Sequence, residues 1–225
     1  MLENSWLKKE KPLLGLTGMG GGVGSNLVAG AAVEPYSGDI AVAHYNSPYI
    51  SVYPWDSGFG TKYTDPSTLP PDRGGNRAVA FSPDGADIAV IHNSSTYISV
   101  YPWTSGTGFG TKYADPSTML PHRGWGLAFS PDGADLAVTH DSSPYVSVYP
   151  WSSGFGTKYA DPSTLPGSGY GKAAAWTPDG ADLAVTHSDS PYISVYPWDA
   201  GFGTIYSDPS TLPTGNGKGF DFSPA

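Results

Sequence analysis

Hydrophobic positions in this chain come in short runs, each cut by a knot of Gly, Pro, Asp and Ser. Residues 76–118, NRAVAFSPDGADIAVIHNSSTYISVYPWTSGTGFGTKYADPST, show the pattern in full. SPDG is a turn with a mechanism: Pro83 presets φ at its second position, Asp84 tolerates the third, and Gly85 supplies the positive φ that follows. Runs of Ala, Val, Ile and Phe flank it, as a hairpin needs. HNSST predicts a second turn, and YISVYPW alternates β-branched with aromatic residues as a third strand. TSGTGFG breaks that strand, and GTKYAD is expected to be the fourth. The pattern predicts a meander of four short antiparallel strands.

Both faces of that sheet are apolar. Ile88 and Val90 point one way, Ala89 and Ile91 the other, and neither set is charged. A sheet apolar on both sides needs a neighbour on each side, and the sequence supplies neighbours by repetition. The Trp of YPW recurs at Trp55, Trp103, Trp151 and Trp198, and a His at His44, His92, His140 and His187, both in steps of 48, 48 and 47 residues. DPST returns at 65–68, 115–118, 161–164 and 208–211, and FDFSP at 220–224 begins a fifth unit. Stacking each unit face to face on the next around an axis is the logic of a β-propeller. The strand nearest the axis should carry small residues, and Ala78, Ala80, Gly126, Ala128, Ala173 and Ala175 fit. A right-handed β-helix is the runner-up fold, but its rungs are usually shorter and need no SPDG hairpins.

FSPDGADLAVTHDSSPYVSVYPW, residues 129–151, resembles the WD-repeat blade, with the Phe-Ser-Pro-Asp-Gly turn as the most specific part. The resemblance covers about residues 26–225. It implies an all-β fold, a β-propeller of WD-like four-stranded antiparallel blades, with four near-complete blades plus one inner strand. The blades are placed at about 26–70, 76–120, 125–166 and 171–213, with a partial unit at 217–225. Residues 1–25 form a Gly-rich N-terminal arm. The pattern departs from the family in several places. YPW followed by Asp56, Thr104, Ser152 or Asp199 replaces the terminal Trp-Asp, the Gly-His pair is absent, and VEPYSGD at 33–39 stands where other units have FSPDGAD. The YPW, GFGTKY and DPSTLP phrasing is also similar to repeat proteins of tailed bacteriophage particles. That similarity implies a structural virion protein of the tail, fibre or capsid, attached through its arm to other virion proteins and presenting a rim to a host-surface glycan or protein. An intracellular, cytoplasmic WD-type scaffold and a carbohydrate-active propeller enzyme are the alternatives.

Thirty Gly, 22 Pro and three Glu argue against long helices, while 7 Trp, 15 Tyr and 8 Phe supply ample apolar bulk. The net charge is −9. From residue 35 onward 17 Asp stand against 8 Lys plus Arg, so the whole excess lies in the repeats. Such a surface repels phosphate backbones, and nucleic acid is not an expected partner. Zero Cys removes disulfides and thiolate metal sites. The apolar run PLLGL near the N-terminus is too short for a cleaved leader, and no membrane span is expected.

Four His in register invite a metal ring, since neutral imidazole is a common ligand. Against it, stacked sheets lie about 10 Å apart, and the strand carrying His is not the axial one. A structural role for these His, hydrogen bonded to the turn that follows, is expected, and no metal or other cofactor. Asp87, Asp135 and Asp182, and Asp65, Asp115, Asp161 and Asp208, are expected to form turns through side-chain bonds to backbone. With no catalytic motif, the chain is expected not to be an enzyme. Function should sit where the units differ, at the loop entering each inner strand. There Arg73, Arg77, Arg123, Trp125, Tyr170, Lys172 and Lys218 are the candidate binding residues, suited to stacking a planar or sugar ligand or anchoring a protein. The chain is expected to oligomerise, and three routes to closing the blades stand open: a chain that continues past Ala225, copies combining into a larger ring, or four blades that close with residues 217–225 pairing near the N-terminal unit.

Overall fold

A computed structural model of the chain describes residues 36–71, 78–167 and 169–223. Arg73, Arg77, the N-terminal arm and the inner strand of the first unit lie outside the described residues. Those described are all-β. β1 (Ser37–Ala43) and β2 (Ile50–Asp56) pair as a hairpin. The second unit is a sheet of β3 (Ala78–Phe81), β4 (Asp87–Ile91), β5 (Ile98–Thr104) and β6 (Gly108–Phe109), in that order. The third is β7 (Gly124–Phe129), β8 (Asp135–His140) and β9 (Val146–Pro150). The fourth is β10 (Gly171–Trp176), β11 (Asp182–His187) and β12 (Ile193–Pro197).

SPDG in the second and third units, and TPDG in the fourth, closes the hairpin after the inner strand as its residues dictate. Gly85 N–H donates to the Ser82 carbonyl at 2.9 Å, and φ is +71° at Gly85, +75° at Gly133 and +74° at Gly180. Ser82 adds a local lock, since its Oγ donates to Asp84 at 2.6 Å and accepts from Asp87 N–H at 2.9 Å. The Ser82 hydroxyl, with the Ala86 N–H, holds the Asp84 carboxyl below its ordinary pKa.

The fourth strand departs from expectation. GTKYAD is not a strand, and the pairing shrinks to Trp103–Phe109 and Thr104–Gly108, or to single bridges Trp55–Phe59, Trp151–Phe155 and Trp198–Phe202. The cause is the proline of YPW. Along β5, Val100 and Pro102 turn their backbone groups to the outer edge, where their carbonyls accept from Tyr113 and Gly110. Pro102 has no N–H to return, so the ladder loses a bond where a continuous strand would need it. The chain from Gly110 to Tyr113 follows that edge on two separate hydrogen bonds.

The two-faced sheet is confirmed side by side. Ile88 and Val90 join Ile50, Val52, Tyr101 and Trp103 in a core between the first and second units. Ala89 and Ile91 join Leu136, Val138, Tyr149 and Trp151 in the next core. Ala137, Val146 and Val148 meet Trp176, Leu183 and Val185 in the third. Each unit therefore hides its flanks only against neighbours, and apolar burial of this kind is worth about 25 cal/mol per Å². Close approach of inner strands explains the small residues. A Cβ at Gly126 would lie 2.7 Å from the Lys172 carbonyl oxygen and 3.0 Å from Ala173 Cα.

Candidate functional site

Repeated polar residues join the blades. Asp87, 5% exposed, accepts from Tyr113 Oη of its own unit and from Trp151 Nε1 of the next, both at 2.8 Å. Asp39 does the same with Tyr63 at 2.8 Å and Trp103 at 3.0 Å, and Asp135 takes Trp198 Nε1 at 2.9 Å. Among the described residues the Asp182 carboxylate has Tyr206 alone, at 3.0 Å. The expectation that these Asp are turn-formers is corrected. Asp87 and Asp135 are clasps between blades and Asp182 holds the tyrosine of its own unit, while among the described residues of these hairpins Asp84, Asp132 and Asp179 fix the turns through bonds to backbone. The DPST Asp residues are also reassigned: Asp65, Asp115 and Asp161 pair with Lys62, Lys112 and Lys158 three residues earlier.

Tyrosine supplies a second clasp. Tyr101, Tyr149 and Tyr196 are fully buried and donate to the carbonyls of Thr68, Thr118 and Thr164 in the preceding DPST loop, at 2.8–2.9 Å. Trp103, Trp151 and Trp198 also meet the preceding unit's Tyr ring edge to face, at 4.9 Å for Tyr63–Trp103, 5.2 Å for Tyr113–Trp151 and 5.1 Å for Tyr159–Trp198. Such edge-to-face pairs are favoured by the ring quadrupoles.

Imidazoles sit inside this frame. His44, His92, His140 and His187 place Nε2 3.0–3.1 Å from Ser51, Ser99, Ser147 and Ser194. Nδ1 of His140 lies 2.7 Å from the Ser142 carbonyl, and that of His187 2.8 Å from the Asp189 carbonyl. A carbonyl only accepts, so Nδ1 carries the proton and Nε2 accepts from the serine hydroxyl. Burial lowers the pKa of His92 and His140 to about 4, leaving the rings neutral. Among the described residues no cluster of His, Asp or Glu is placed to hold a metal ion, and no helix is long and apolar enough to cross a membrane.

The variable rim lies where the entry loop meets the turn after His. Asp141 N–H donates to the Arg123 carbonyl at 3.2 Å, and Ser188 N–H to the Tyr170 carbonyl at 3.1 Å. Gly167 and Gly169 are needed there, because a Cβ would fall 2.6 Å from the His187 ring and 2.3 Å from Ser188 Oγ. Trp125 and Lys172 occupy equivalent bulges, where Gly124 and Gly126, or Gly171 and Ala173, pair with consecutive residues opposite. A bulge re-aims its side chain, and the two are brought together. Lys172 Nζ stands 3.5 Å from the Trp125 ring centroid and 5.2 Å from that of Tyr170, which is half exposed. Arg123 Nε binds the buried carboxylate of Asp141 at 3.0 Å, and His122 Nδ1 meets its other oxygen. Lys218 is exposed one unit further on, where its neighbour Gly217 packs on Thr186. His122 escaped the sequence reading because it occurs once, in the variable entry loop, and Asp141 because it sits in the repeated turn after His, where Asn93 and Ser188 stand in the neighbouring units and nothing marks its partners.

No family model and no curated protein matches this chain. Among solved structures, a provisional 6-phosphogluconolactonase from Bacteroides uniformis is similar at TM-score 0.59 and 19% identity, over 84% of this chain and 60% of its own. Sqt1 from Chaetomium thermophilum, solved bound to the N-terminus of a ribosomal protein, is similar at TM-score 0.54 and 20% identity, over 73% of this chain and 44% of its own. The chain thus spans about 60% of the length of the first and less than half of the second. At these identities the likeness shows the fold, an all-β propeller-like stack of blades. The expectation that the chain is not an enzyme is corrected by the first of these structures, since the shared architecture is one given to a lactonase, and a lack of sequence motifs does not exclude catalysis on it.

Proposed function

We propose that the blade array is a protein-binding platform whose recognition surface is the rim around Trp125, Tyr170 and Lys172. The observation that carries this is the placement of one ammonium group between two aromatic rings, at the two bulged positions where repeats differ most. In a chain of net charge −9, a cationic aromatic spot suits a peptide segment that brings a carboxylate beside an apolar or aromatic side chain. Sqt1 holding the terminus of another protein supports the reading as a use of similar architecture.

The test is fluorescence polarisation with short acidic-aromatic peptides and their lysine-for-acid counterparts. Binding should favour the acidic set, weaken with salt, and fall at least about tenfold in Trp125→Ala and Lys172→Ala, the loss expected at an interface hot spot. Equal binding by the parent chain and the double variant would refute it. The finer version, a virion protein docked through its N-terminal arm, requires stoichiometric copies of the chain in purified particles.

A further inference from the structure

Among the described residues the same interface is filled three times, and its two complementary halves are left unfilled at the ends of the described array. On the first unit the face that would meet a preceding blade has no covering partner among the described residues. Val42 is 43% exposed, whereas its equivalents Val90, Val138 and Val185 are fully buried. Tyr53 and Trp55 are half-buried where Tyr101 and Trp103 are buried, and Phe59 is 69% exposed. Among the described residues neither the Tyr53 hydroxyl nor the Trp55 indole N–H has the acceptor its equivalents enjoy. On the fourth unit the opposite half lacks a covering partner among the described residues. Ile193 and Val195 are half-buried where Val146 and Val148 are buried. Tyr206 is 52% exposed, Pro209 is exposed where Pro66, Pro116 and Pro162 are buried, and the second carboxylate oxygen of Asp182 lacks an indole donor among the described residues. A concavity of about 250 Å³ lined by Val195, Tyr206, Asp208 and Pro209 opens on this face.

We infer that a second copy of this chain docks head to tail on the first, with Trp55 and Tyr53 of one copy seated on Asp182 and the Thr211 carbonyl of the other. The interface would continue the internal one: an indole N–H on a carboxylate, a phenol on a DPST carbonyl, and Val42 against Ile193 and Val195. Donors lie on one end and acceptors on the other, so the contact is heterologous and propagates into a ring or a longer stack. This inference is independent of the rim, whose residues it does not use.

Sedimentation equilibrium of the 225-residue chain across a wide concentration range tests it. The parent chain should grow beyond a monomer with concentration. Trp55→Ala and Asp182→Ala should each raise the dissociation constant at least about tenfold, as loss of a central anchor does. Mixed together, these two variants retain one good junction per pair and should form a dimer that grows no further. Val42→Lys serves as a second donor-end variant should Trp55→Ala fail to fold. A parent chain monomeric at every concentration overturns the inference. So does association unchanged in the variants, or the absence of the mixed dimer.

Discussion

Asp87→Ala should cost far more stability than Asp182→Ala, although both residues hold the same place in the same repeat. Removing the Asp87 carboxylate strips the acceptor from Trp151 Nε1 and Tyr113 Oη, on an indole only 6% exposed. A donor buried without a partner costs about 1–3 kcal/mol, so two cost roughly 2–6 kcal/mol. Asp182 serves one tyrosine whose ring is half in solvent, where water replaces the lost acceptor and the cost stays under about 1 kcal/mol. Urea unfolding at low protein concentration measures both. Combining Asp87→Ala with Trp151→Phe isolates the clasp, with an expected coupling of about 1.5–3 kcal/mol for a hydrogen bond to a charged group. Equal costs for the two Asp variants, or a coupling below about 0.5 kcal/mol, would refute the assignment.

Acid should loosen the fold through its imidazoles. His92 and His140 are held near pKa 4 by burial, against an ordinary 6.5, so the unfolded chain binds more protons between those values. Stability is therefore full above about pH 6.5 and falls as pH drops toward 4. Thermal melts across that range should show the fall, shallower in His140→Gln; a flat profile would contradict it. Gly126→Ala should destabilise by about 1–3 kcal/mol, because its Cβ would press on the next strand's backbone, while Gly58→Ala, with open space around it, should be nearly neutral in the same urea assay.

Much of the architecture was legible because it is periodic. The 47- and 48-residue steps give the units, the alternation of Ile88 with Ala89 gives two buried faces, and SPDG gives the hairpin. Legibility failed where a residue's role depends on a partner in another unit. Asp87 looks like a turn residue along the chain, and only the fold brings Trp151, 64 positions away, to its carboxylate. The fourth strand was misjudged because GTKYAD has strand-like composition, while the missing donor sits in the neighbouring strand at Pro102. At the rim, Trp125 and Lys172 were singled out by their variation. The bulges that bring them together leave no mark in hydrophobic periodicity. His122 carried no periodic signal, and Asp141 was visible as part of the repeated turn after His but not as the partner of Arg123.

Hydrogen exchange of the indole N–H groups, followed by NMR in the Asp182→Ala variant so that copies stay apart, tests the clasped stack most directly. Trp103, Trp151 and Trp198, each donating to the carboxylate of the preceding blade, should exchange slowly, and Trp55 quickly. Exchange at Trp103, Trp151 and Trp198 as fast as at Trp55 would contradict it.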